Sequence, residues 1–372
     1  MSELHTPVKV GRYSLNHRVV LAPMTRLRSL QPSDTPSPMM VTFYEQRASE
    51  GGLQIVEGTA VSETARAYLG APGIYSDDNV AGWKKVTDAV HAKGGRIFVQ
   101  LFHPGRQAHA ELNGGQAPIA PSVDSEAQLV ALTKDGFVPA TPHRELGIEE
   151  IPGVIAQYRR AAELALEAGF DGVELHGANG YLPDQFLQDG TNKRTDVYGG
   201  SIENRARFLF EALQALIDVW GADRVGLRLS PSGEWGSISD SDPSSTFGYV
   251  AKRADELGLA FLHVIEPRIK GDDDLVKGAD PVASADLRRN FKGTIIAAGG
   301  FDQDGAERII KEGNADLVAF GRFFASNPDL PRRFKDGLPL ARYDRSAFWG
   351  GNESGYIDYP TWDEQQTTSQ AS

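Results

Sequence analysis

Three side chains within six residues could act together on one small polar atom: His176, Asn179 and Tyr181, in the stretch VELHGANGYLPDQFLQ at 173–188. An imidazole and a carboxamide can each donate a hydrogen bond to a carbonyl oxygen, and a phenol can deliver a proton. The stretch opens as a buried strand, Val173-Glu174-Leu175, and Gly177 and Gly180 free the backbone that follows. A purely structural reading also exists, in which His176 and Asn179 cap the next helix and Tyr181 is core. The motif alone does not separate the two. The elements around it do.

Seven further short apolar runs read as strands: residues 18–23, 53–57, 96–102, 224–229, 259–264, 294–298 and 316–320. Between them lie helical patterns at about 39–49, 80–92 and 247–256. Another follows Pro152, with Ile155, Tyr158, Ala162 and Leu166 on one face and Gly169 as its stop. A fifth starts at Ser201, faces the core with Ile202, Ala206, Leu209, Leu213, Leu216 and Trp220, and ends at Gly221. Eight strands alternating with helices predict a (β/α)8 barrel in a single domain spanning 1–372. A doubly wound sheet is the alternative, but no GxGxxG follows an early strand. Residues 8–14 read as a small hairpin lid. Residues 103–149 lose periodicity and read as an excursion over the site with its own short hairpin. The tail, about 363–372, is polar and expected to be mobile.

In such a barrel the active face is built from strand C-termini. Thr25, Gly58, Gln100, His176, Arg228, Gly299, Gly300, Gly321 and Arg322 all fall at or just past strand ends. Gly299, Gly300 and Gly321 let backbone N–H groups approach an anion, and Arg322 adds a charge, so the last two strand ends read as a phosphate cradle. An Arg inside a barrel strand, Arg228, is costly unless it meets an anion or an electron-rich ring. With Gln100 and Thr25 it suits a heterocycle carrying carbonyls and ring nitrogens.

Composition narrows the classes. The 372 residues carry 50 acidic against 38 basic side chains, a formal charge of -12, which disfavours nucleic acid and anionic membrane surfaces. The absence of cysteine excludes disulfides, thiolate metal sites and a Cys nucleophile, and no His/carboxylate spacing suggests a metal. Neither a signal core nor a membrane-length apolar run is present, so a cytoplasmic protein is expected, as a monomer or homodimer.

The motifs LAPMTR, VEGT, VQLFHPGR, ELHGANGYL, RTDVYGGSIENR, IIAAGGF, VAFGRFFASNPDL and GYIDYP, spread in order from about residue 7 to 360, closely resemble the Old Yellow Enzyme family of FMN-dependent ene-reductases. The likeness is greatest to its bacterial N-ethylmaleimide and pentaerythritol tetranitrate reductases. The resemblance implies tightly bound, non-covalent FMN, with NADPH or NADH as reductant. Substrates would be alkenes conjugated to carbonyl or nitro groups, with nitro and nitrate ester compounds as a further class. It places Ala22, Pro23, Thr25, Gly58, Gln100 and Arg228 around the flavin ring, and Gly299, Gly300, Gly321 and Arg322 at its phosphate. It assigns His176 and Asn179 to the substrate oxygen and Tyr181 to proton donation, with Tyr68, Phe102, Ile269 and Trp349 shaping the substrate pocket. Many relatives have Trp at the position of Phe102 and Tyr at that of Trp349, differences that bear on substrate range. Two rivals stand beside this reading: a barrel lyase or isomerase holding a phosphorylated metabolite in the same cradle, and a flavin-binding protein without turnover.

Overall fold

A computed structural model describes residues 2–270, 273–274 and 282–370, apart from the side chains of 269, 270, 273, 274 and 368–370. Eight parallel strands close into a barrel in sequence order: β1 (Val19–Leu21), β2 (Leu53–Ala60), β3 (Arg96–Phe102), β4 (Gly172–Gly177), β5 (Val225–Leu229), β6 (Phe261–Ile265), β7 (Ile295–Ala298) and β8 (Leu317–Phe320), with β8 pairing back to β1. Their residues are buried on both faces, which is why they read as near-continuous apolar runs rather than alternating ones.

Inside the barrel the side chains form layers. The lowest is apolar, with Val20, Ile55, Phe98, Phe261, Ile296 and Leu317 in one cluster. Two glycines make room for its rings: a Cβ at Gly172 would meet the Phe98 ring at 2.4 Å, and one at Gly226 the Phe261 ring at 2.2 Å. The N-terminal hairpin, Val8–Val10 paired with Tyr13–Leu15, adds Val10 and Leu15 to this layer. It is tied to strand beginnings, Tyr13 donating to the Asp171 carbonyl and Thr294 to that of Lys9. The expected lid is therefore a plug in the end opposite the strand C-termini.

Helices pack outside the strands. Ile151–Glu167 buries Val154, Tyr158, Ala161, Ala162 and Ala165; Leu166 is 44% exposed and Ile155 only half-buried. Tyr158 and Ala162 thus face inward as the sequence suggests, while Val154 and Ala165 take the inward places expected of Ile155 and Leu166. The pattern from Ser201 divides at Ala206 into Ile202–Arg205 and Arg207–Trp220, with the Ser201 side chain accepting from Asn204 N and Gly221 as the C-cap. The excursion carries the antiparallel pair Val130–Thr133 and Gly136–Pro139, and residues Trp362–Gln370 of the polar tail are helical, with Arg332 bound to Asp363 at 2.6 Å.

Candidate active site

Above the apolar layer the barrel turns polar. β3 and β4 pair Gln100 with Glu174, and β5 and β6 pair Arg228 with His263. Glu174, fully buried, accepts from Gln100 Nε2 at 2.7 Å and contacts His263 Nδ1 at 2.7 Å. Burial lowers the pKa of Arg228, and Glu174 is the main group opposing that shift. Burial also holds His263 below the ordinary imidazole range, so the neutral ring donates its Nδ1–H to the carboxylate. Among the described residues, Arg228 Nε and His176 Nδ1 are buried without a hydrogen-bond partner.

This layer is the floor of a cavity of ≈ 620 Å³ at the strand C-termini. Ala22, Pro23, Thr25, Gly58, Tyr68, Gln100, Phe102, His176, Asn179, Tyr181, Arg228, Gly299, Gly300, Gly321, Arg322 and Trp349 all line it. Ile269 is the one anticipated site residue whose side chain lies outside the described ones. The capping half of the structural reading of the 176–181 motif does not hold: the residue capping helix Leu182–Leu187 is Tyr181 through its backbone, with no side-chain cap bond. Tyr181 itself is buried, in a small cluster with Ala67 and Phe102.

His176 points inward as the last but one residue of β4, at a position set by strand alternation from Glu174. Burial, then Arg228 and His263, pushes its pKa well below the ordinary value, so the ring is neutral and keeps one N–H donor. Asn179 adopts a left-handed conformation (φ 56°), held by its N–H to Ser230 Oγ at 2.8 Å and its carbonyl from Gln107 Nε2 at 3.0 Å. Buried Asp184 accepts the next N–H, from Gly180, at 2.9 Å. Among the described residues the Asn179 carboxamide has no partner. The Tyr181 ring packs edge-on to Phe102 and His176, with centroids 4.5 and 4.9 Å apart. Its hydroxyl lies 3.0 Å from that of Tyr68.

The β7 end bends sharply at Gly299 (φ 113°) and Gly300 (φ 65°). Gly321, after β8, carries Arg322, whose guanidinium lies 5.7 Å from the Tyr343 ring centroid. The opposite wall comes from the C-terminal segment. Arg26 donates to the carbonyls of Ala347, Phe348 and Gly355, and Arg28 to those of Ala347 and Asn352, tying Phe348 and Trp349 to the loop after β1. Phe137, from the excursion hairpin, meets Trp349 edge-on at 6.2 Å.

Several lining residues escaped sequence reasoning: Trp235, Phe137, Phe301, Phe323, Tyr343 and Phe348. Trp235 lies six residues beyond β5, where the strand-end rule could have found it, and Phe348 adjoins Trp349. Phe137 carried no local signal. Among the described residues there is no cluster of three metal-binding side chains, and no helix is long and apolar enough to cross a membrane.

A cavity at the C-terminal face of a parallel barrel, with glycines at the ends of β7 and β8, is where barrel enzymes carry their active site and often a phosphate pocket. The family model described as "NADH:flavin oxidoreductase / NADH oxidase family" matches residues 3–341, and the chain belongs to that family, the Old Yellow Enzymes. It is 45% identical over 366 residues to 12-oxophytodienoate reductase 1 of Oryza sativa subsp. japonica, covering 97% of this chain and 93% of the relative. Morphinone reductase superposes with a TM-score of 0.91 at 45% identity, over 98% of this chain and 97% of the other. Another morphinone reductase structure, in complex with tetrahydroNAD, gives 0.89 at 45% identity over 97% and 98%.

Proposed function

We propose that this protein is an FMN-dependent ene-reductase, one FMN-binding unit across the chain, that uses NADPH or NADH to saturate alkenes conjugated to a carbonyl or nitro group. The observation that carries the reading is the convergence of a neutral His176, the unpartnered Asn179 carboxamide and the Tyr181 hydroxyl on one cavity. The cavity also fits the cofactor: a buried guanidinium nitrogen on Arg228 without a protein partner needs an acceptor, and flavin carbonyls and ring nitrogens are acceptors. Thr25, Gly58, Gln100 and Arg228 would hold the polar edge of the ring, with Ala22 and Pro23 against its apolar part. Gly299, Gly300, Gly321 and Arg322 would hold the phosphate. When bound, FMN would supply the two-electron chemistry, hydride transfer from the nicotinamide to the substrate β-carbon.

The chain's own residues complete the reaction. His176 and Asn179 donate to the substrate oxygen and stabilise the negative charge that builds there. Tyr181 Oη gives its proton to the α-carbon; burial raises its pKa well above the ordinary phenol value, so it remains protonated at neutral pH. Phe102, Tyr68 and Trp349 border the substrate space. That morphinone reductase has been solved with tetrahydroNAD supports a nicotinamide reductant for this chain.

Recombinant protein is expected to be yellow, to release FMN by mass, and to oxidise NADPH or NADH in proportion to added enone. Release of FAD, or a reconstituted protein that binds no flavin, overturns the cofactor assignment; nicotinamide oxidation indifferent to the enone overturns the reaction.

A further inference from the structure

The mechanism above leaves a phenolate on Tyr181, a residue only 8% exposed in the wall of the cavity. Two groups face that oxygen. Tyr68 Oη lies 3.0 Å away, and the Trp235 indole lines the same cavity and, as a donor, lowers the pKa of both phenols. An indole N–H can only donate. Both groups sit on anchored loops. Leu69, next to Tyr68, donates its N–H to the Leu132 carbonyl at 2.8 Å. Trp235 precedes Gly236 and Ser237, whose carbonyls accept from buried Arg106 at 3.0 and 2.9 Å.

Resting on the reading of Tyr181 as the acid, we propose that Tyr68 and Trp235 form a two-donor cradle for the Tyr181 phenolate, and that Tyr68 passes the replacement proton inward. In the first step the Tyr181 O–H bond breaks as a C–H bond forms at the substrate α-carbon. In the second the Tyr68 O–H bond breaks as the Tyr181 O–H bond re-forms, which moves the negative charge to Tyr68. Water then protonates Tyr68, whose side of the pair is the more exposed. Burial raises the pKa of both phenols, so both are protonated before the reaction and Tyr68 has a proton to give. Trp235 keeps a donor on the charge at either oxygen.

The test uses holoenzyme with a difluorotyrosine at position 181, whose fluorines make this ring the first of the pair to titrate and report it by fluorine NMR. Tyr68→Phe and Trp235→Phe each remove one donor to the phenolate, and each is expected to raise the titration by about one to two pH units. In the unlabelled enzyme the same variants should lower the fraction of nitroalkene product protonated before release roughly tenfold or more. A titration that does not move upward in either variant overturns the cradle, while Tyr181→Phe still losing enone turnover leaves the proposed function standing. Wild-type enone turnover in Tyr181→Phe removes the acid itself, and the cradle with it.

Discussion

Glu174→Gln is the most informative change in the floor of the site. The carboxylate is fully buried and bonded at 2.7 Å to both Gln100 and His263, and it is the charge that most opposes the desolvation of Arg228. Glutamine keeps the shape and one acceptor but turns the other oxygen into a donor. Gln100 Nε2 and His263 Nδ1–H already donate into this position, so one donor must face another. Rotating the histidine tautomer only moves its proton to Nε2, which is buried without a partner. Arg228 would meanwhile keep its charge with its main counter-charge gone. Losing a hydrogen bond to a buried charged group and leaving its donor unpaired costs about 1.5 to 3 kcal/mol. With a urea slope of about 3 kcal/mol per molar, the unfolding midpoint should fall by roughly 0.5 to 1 M. Equilibrium urea unfolding of the cofactor-free protein, followed by circular dichroism, measures this directly. A loss below about 1 kcal/mol, the range of an ordinary neutral hydrogen bond, would refute Glu174 as the counter-charge of Arg228.

Two further outcomes follow from the geometry. His176→Ala and Asn179→Ala should each reduce enone turnover about 100- to 1000-fold and weaken the binding of phenols, read from the flavin spectrum; wild-type phenol affinity in both would remove them from the substrate oxygen. Gly226→Ala drives a methyl into the Phe261 ring and should cost about 1 to 3 kcal/mol of stability, whereas an unchanged melting temperature would show that the lower layer has slack.

The barrel was legible in the sequence because a strand buried on both faces must be apolar along its length, and such runs, separated by helical periodicities, admit few architectures. The site was legible for a related reason: at a strand end a costly residue such as Arg228 or a bend such as Gly299-Gly300 breaks the local pattern. Every such residue with a described side chain lines the cavity. Leu166 shows the limit even within one helix, because a tolerance of one residue on a 3.6-residue period moves a side chain from core to solvent. The Gln100–Glu174–His263 contacts lay beyond it too. Strand alternation puts Glu174 on the same face as His176, but only closure of the barrel decides that β3 and β6 bring an amide and an imidazole to its two oxygens. Trp235, Phe137 and Phe348 reach the cavity from loops with no periodicity, held by bonds to residues far along the chain, such as Arg26 to the Phe348 carbonyl and Arg106 to that of Gly236. Residue type and local spacing determine which groups can do the chemistry. Which groups stand behind them, and so how readily Tyr181 gives up and regains its proton, depends on contacts across the barrel that exist only once the tertiary structure has formed.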